Sequence, residues 1–183
     1  GAVRSAISEG DFEYTVPTTE EQCGIRARVT KYLTHNINSV SDVMVSADRQ
    51  ALWERCYGDV DVPVPPFLVK DEGEPFRFQG RYIIPRSPFL EVHFLSVVRA
   101  HLFNQYFHNV DVVAEFGCGT GHNLLALGKQ FPDKFLVGFD WADAAVQSVK
   151  RIARDYSLNL IGRQFDFFSP YTNEYGDAWA DFC

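Results

Sequence analysis

Between Val112 and Gly121 the chain reads Val-Val-Ala-Glu-Phe-Gly-Cys-Gly-Thr-Gly, an apolar run that ends on an acid and is followed by glycine at every second position. A buried strand that turns at once into a helix must bring its backbone close to whatever it binds, and side chains at Gly117, Gly119 or Gly121 would obstruct that approach. The helix expected next carries Leu124, Leu125, Leu127 and Phe131 and stops at Pro132-Asp133. Its first turn offers N–H groups that favour a carboxylate or phosphate, so the segment reads as an anion cradle at a nucleoside-cofactor site.

Glycine spacing and Glu115 narrow the choice of cofactor. A dinucleotide fingerprint counted from Gly117 requires its third glycine at position 122, where the chain has His122. A carboxylate beside a pyrophosphate would also be repulsive. Glu115-x-Gly117-x-Gly119-x-Gly121 instead resembles motif I of the class I S-adenosylmethionine-dependent methyltransferases, in which the acid helps hold the positively charged amino group of the cofactor.

The resemblance extends from about Val110 to Pro170. Lys134 to Trp141 reads as a second strand ending on Asp140, the position at which that family's acid accepts both ribose hydroxyls; a carboxylate has the two oxygens a vicinal diol needs. Trp141 would pack near the adenine. A third strand is expected over Asn159 to Phe165, although Gly162 and Arg163 interrupt its apolar pattern, and Asp166 and Phe167 would follow as contacts to the adenine amino group and ring. The implied cofactor residues are thus Glu115, Phe116, Gly117, Cys118, Gly119, Gly121, Asp140, Trp141, Asp166 and Phe167. The resemblance names no catalytic residue and no general base.

Other readings attach to the same residues. Asp140 could cap the helix expected over Ala144 to Tyr156, but Asp143 is better placed for that task and leaves Asp140 for a ligand. Asp166 also suits a surface turn, and Trp141 and Phe167 suit a core. Cys118 fits a small position of the motif and not a nucleophile. His122 reads as a solvated residue at a helix start.

The elements that must position these residues divide near residue 110. Residues 1–109 form a mainly helical region serving as lid or substrate region, and residues 110–183 form the N-terminal half of an S-adenosylmethionine-binding domain. Up to about Pro17 the chain looks polar and irregular. Thr18-Thr19-Glu20-Glu21 reads as a cap opening a helix to about Asn36, and a second helix is expected over Val40 to Tyr57. The proline-rich run Val60 to Pro66 excludes regular helix or central strand. Phe76 to Ile84 reads as a hairpin or extended segment, and Pro88 to Phe107 as a helix that packs on the sheet. His93, His101 and His108 recur on that helix too far apart for one metal and read as structural or solvated.

The fold class expected is α/β: a Rossmann-like three-layer sandwich truncated after its third strand, with the helical extension in front. The family's next strand would lie beside the Gly-rich one, so a chain ending at Cys183 would leave an apolar edge suited to homodimer pairing, with the tail from Tyr171 carrying Trp179 and Phe182. The chain therefore reads as a fragment of a longer enzyme.

Composition bounds the rest. With a formal charge of −7 and scattered basic residues, the 183-residue chain lacks the basic stripe that phosphate backbones require, which leans the methyl acceptor towards a small molecule or a protein. No apolar run is long enough to span a bilayer. Four separated cysteines, Cys23, Cys56, Cys118 and Cys183, form no C-x-x-C pair, so a cytoplasmic, metal-free protein is expected. Two competing functions share these features: a non-catalytic methyltransferase-like binding or scaffold protein, and an NAD-dependent Rossmann oxidoreductase.

Overall fold

A computed structural model of the chain describes residues 1–37, 64–65 and 68–167. They fall into two compact units, residues 1–37 with 68–99, and residues 64–65 with 100–167. The helix expected over Val40 to Tyr57, the run Val60 to Pro63 and the tail from Tyr171 lie outside the described residues.

In the first unit, helix α1 (Ala2–Glu9) and strand β1 (Tyr14–Thr15) occupy a stretch that the sequence presents as irregular. Two residues do not hold a strand by themselves; β1 exists because it pairs antiparallel with β3 (Arg81–Pro85), Tyr14 opposite Pro85 and Thr15 opposite Ile84. Strand β2 (Phe76–Phe78) pairs with the other side of β3 through a two-residue turn in which Gln79 and Gly80 both have positive φ, 48° and 80°, the hand that matches strand twist. The sheet order is β1-β3-β2.

Helix α2 (Thr19–Ile37) begins with the capping box that its sequence announces. Glu21 Oε2 accepts from the Thr18 N–H at 2.7 Å, and Thr18 Oγ1 accepts from the Glu21 N–H at 3.3 Å. Gln22, one residue on, fastens the helix to the sheet: its amide donates to the Tyr82 carbonyl at 2.6 Å and accepts from the Tyr82 N–H at 3.0 Å. A side chain thereby supplies the backbone partner that so short a β1 does not provide. Helix α3 (Leu90–Tyr106) starts in this unit, where His93 Nδ1 accepts from the Asp11 N–H at 3.0 Å, a structural use of that histidine.

The second unit alternates strand and helix: β4 (Val112–Phe116), α4 (His122–Gln130), β5 (Phe135–Asp140), α5 (Asp143–Asp155) and β6 (Leu160–Gln164). The strands are parallel in the order β4-β5-β6, which is the α/β, Rossmann-like arrangement expected from the sequence. Leu124, Leu125, Leu127, Leu136, Val149 and Ile152 form its core, with Phe103 and Phe107 from the end of α3 packed against it. No helix among the described residues is long and apolar enough to cross a membrane.

Glu115, Gly138 and Gly162 stand side by side in register, one on each strand and on one face. Both glycines serve the close approach of helices. A Cβ on Gly138 would lie 2.8 Å from Leu124 Cδ1, and one on Gly162 would lie 2.8 Å from the Val146 carbonyl oxygen of α5. The residue that interrupts the apolar pattern of β6 is therefore what lets α5 settle on the sheet.

Gly162→Val should accordingly destabilise the fold by about 1–3 kcal/mol, because the obstructing atom is helix backbone and cannot rotate away. Urea unfolding would measure this, and wild-type stability would mean that α5 does not depend on the gap.

Glu21 makes a second forecast. Its backbone hydrogen bond with Thr18, then the hydroxyl bond, holds its carboxyl below the ordinary range. A depressed folded pKa adds stability that is present above the unfolded value and lost as pH falls through the folded one. The start of α2 should fray in that acid window, as read from the amide signals of residues 18–22, and Glu21→Gln should flatten the response.

Candidate functional site

At the C-terminal ends of β4 and β5 the chain changes direction twice, and the two corners are tied together. Gly117 and Cys118 donate their N–H groups to the Phe139 carbonyl at 2.7 and 3.0 Å. Asp140 then closes the structure: Oδ2 accepts from the Gly119 N–H at 2.9 Å, and Oδ1 accepts from the Ala142 N–H at 3.0 Å. Its side chain is 5% exposed, so both bonds sit in a shielded setting where a charged acceptor is strong.

These bonds alter two expectations. Asp140, not Asp143, receives the backbone N–H at the entrance to α5; Asp143 is the first helical residue and its Oδ1 accepts from the Gln147 side chain at 3.3 Å. The acid lies at the end of a strand and so reaches back over the corner, which a residue already inside the helix does not do. The N–H groups of the glycine turn itself are also largely engaged. Gly117, Cys118 and Gly119 spend their N–H groups as described, and Gly121 donates to the Cys118 carbonyl at 2.8 Å.

The glycines themselves divide by task. Gly117, Gly119 and Gly121 all have positive φ, 72°, 51° and 76°, so the turn needs glycine at each for conformation alone. A Cβ on Gly117 would meet nothing within 4 Å, leaving room before it, whereas one on Gly121 would lie 2.9 Å from Ile152 Cδ1. Gly121 thus serves the packing of α4 on α5.

Glu115 lies half-buried on the helical face of β4, and Asn123 on the first turn of α4 donates to its Oε1 at 2.8 Å. Asn123 escapes a reading based on acids and glycines; its place one residue inside a helix that starts beside the acid is the available signal. Thr120 is buried, with its hydroxyl 3.1 Å from His122 Nδ1 and its carbonyl accepting from Ser148 at 3.2 Å, so the turn is also pinned to α5.

Cys118 points into the core, 3.1 Å from where a Gly138 Cβ would stand. Burial above all, followed by the charges of Asp140 and Glu115, pushes its thiol far upward.

The remaining expected residues are distributed on either side. Trp141 is half-buried, and its carbonyl accepts from the Gln164 amide at 3.0 Å. Asp166 is half-buried beyond β6. The ring of Phe116 lies on the sheet face opposite Glu115, stacked on Phe139 at 4.9 Å and 5.7 Å from Phe167. Phe165 completes this ring cluster, 5.0 Å from Phe167. Phe116 and Phe167 therefore meet each other, away from the face that carries Glu115. Among the described residues no group of three or more His, Cys, Asp or Glu could hold a metal ion.

Asp140→Ala strands two backbone N–H groups and should cost about 2–4 kcal/mol, with Asp140→Asn costing less because one acceptor oxygen remains. Equal stability of all three proteins in urea would deny Asp140 this role. Cys118 should resist a thiol reagent in the folded chain while exposed Cys23 reacts, as mass mapping of labelled peptides would show.

No protein-family model matches the chain, and no curated protein matches it. Among solved structures, coclaurine N-methyltransferase bound to N-methylheliamine and SAH is similar to this chain with a TM-score of 0.39 and 14% sequence identity, over 82% of this chain and 45% of that one. The chain spans less than half the length of that protein.

Proposed function

We propose that the chain belongs to an S-adenosylmethionine-dependent methyltransferase and that the turn between β4 and α4 contacts this cofactor. The observation that carries the reading is the pair of acids at the strand ends: Asp140, whose oxygens accept from Gly119 and Ala142, and Glu115, whose Oε1 accepts from Asn123 on the first turn of α4. Such a site favours a ligand bearing positive charge and hydroxyl donors over one bearing phosphate. S-adenosylmethionine has an ammonium and a sulfonium, and when bound it supplies a methyl group made electrophilic by the sulfonium.

Glu115, oriented by Asn123, would receive the ammonium group. Asp140 would receive the ribose hydroxyls: each of its oxygens uses one lone pair on a backbone N–H and retains another. The space before Gly117 would admit the chain between them. Trp141 and Asp166 would border the adenine, with Cys118, Gly119 and Gly121 shaping the turn and Phe116 and Phe167 supporting it from the ring cluster on the other face of the sheet. The protein's contribution to transfer is alignment of the acceptor, and residues 1–109 would serve as its lid or substrate region. A net charge of −7 favours a small-molecule or protein acceptor over nucleic acid.

Isothermal titration with S-adenosylhomocysteine, with NADH as the comparison, tests the reading. Saturable binding of the first alone is expected. Glu115→Gln keeps an acceptor for Asn123 while removing the charge, and should weaken binding about tenfold, the equivalent of ~1.4 kcal/mol. Binding of NADH, or of neither ligand by folded protein, would reject the proposal, and unchanged affinity in the variant would remove Glu115 from the site.

A further inference from the structure

Helix α4 starts next to a carboxylate that does not cap it. Its N-cap is Gly121, which has no side chain to offer. A helix start carries N–H groups that no preceding turn can receive, and the helix dipole adds to their attraction for an acid. Glu115 stands half-buried on the face of β4 against which the helices pack, and its Oε1 lies 2.8 Å from the side chain of Asn123, the second residue of α4. An acid so placed has a cap within its reach.

Glu115 bonds instead to a side chain, the Asn123 amide, which donates to Oε1. An amide is neutral, so it fixes the direction of the carboxylate and leaves its charge in place; a lysine at the same position would attract the acid and neutralise it. Asparagine is also a poorer helix former than alanine, so the backbone of α4 gains nothing from it. The turn on which both residues depend is fixed by other bonds. Asp140 holds the Gly119 N–H, Ser148 holds the Thr120 carbonyl, and the Leu125 N–H reaches the Gly121 carbonyl at 2.9 Å. Loss of the Asn123 amide would leave these in place and change what holds Glu115.

We propose that Asn123 is a positioning residue that keeps Glu115 available to a cationic ligand group by holding it off the start of α4. This role rests on the reading of the glycine turn as an S-adenosylmethionine site and adds to it a determinant of charge selectivity: the acid keeps its charge for the ligand because the residue that orients it has none. A glutamate ordered before the ligand arrives also lowers the entropy cost of binding.

Asn123→Ala in the full chain separates this role from a structural one. Isothermal titration should show S-adenosylhomocysteine binding weakened about fivefold to tenfold, while urea unfolding shows stability equal to or above wild type, since alanine favours the helix and Glu115 becomes its cap. In the Glu115→Gln background the same change should add less than about twofold, because Asn123 acts through the charge of Glu115. Asn123→Lys, which neutralises the acid, should weaken binding more than Asn123→Ala does. Wild-type affinity in Asn123→Ala, a parallel fall of affinity and stability, full additivity with Glu115→Gln, or Asn123→Lys binding no worse than Asn123→Ala would each overturn the proposal. Failure of the underlying reading looks different: folded wild-type protein would not bind S-adenosylhomocysteine at all. The hold on Glu115 is then decided by stability alone, with Asn123→Ala at or above wild type supporting it and a less stable variant overturning it.

Discussion

The second unit depends on one carboxylate. Asp140 ends β5, and its two oxygens hold the Gly119 N–H of the turn after β4 and the Ala142 N–H at the entrance to α5. Without that acceptor, two corners formed by separate βα connections would each present a buried donor, a cost of about 1–3 kcal/mol apiece. With it, the ends of adjacent parallel strands become one rigid piece, and Glu115 on β4 is held at a fixed place relative to the start of α5. Under the proposed function, the residue that would receive the ribose is thus also the residue that builds the corner.

Close packing behind the corner imposes a matching demand. Helix α5 lies against the sheet where Gly138 and Gly162 are paired, and it also meets Gly121 through Val149 and Ile152. Three glycines from three segments face the same few α5 side chains. An added methyl at Gly162 meets helix backbone and moves α5 or the strand, and movement of the helix carries Ala142 away from Asp140. Core fit and turn geometry are one constraint seen from two sides.

How much of this is legible in the sequence depends on how local each cause is. The strand–turn–helix order, Glu115, the alternating glycines and Asp140 can be read from spacing, because hydrophobic period and turn chemistry act over a few neighbours. Thr18 and Glu21 can be read for the same reason. Gly162 reads as an interruption of β6, since its partner is the Val146 carbonyl on a helix that the strand pattern does not announce. Strand β1 is invisible because its two residues depend on β3, more than sixty positions away. Asp143 looks like a cap by proximity, yet α5 has Ala142 at that position with no side-chain cap, and Asp140 holds the Ala142 N–H from the strand end. In each case the missing information is a tertiary contact.

The same reasoning decides what kind of ligand the turn can take. Read from sequence, a helix start after glycines suggests an anion site, since orphan N–H groups and the helix dipole attract negative charge. In the folded chain the N–H groups of Gly117, Cys118, Gly119 and Gly121, in the turn before that helix, bond internally, and Asp140 holds one of them. An anion at this corner would have to displace structural hydrogen bonds and also approach Glu115 and Asp140. Under the proposed function, a ligand with an ammonium group and hydroxyl donors meets neither obstacle, and the acids, more than the glycines, would then determine the character of the site.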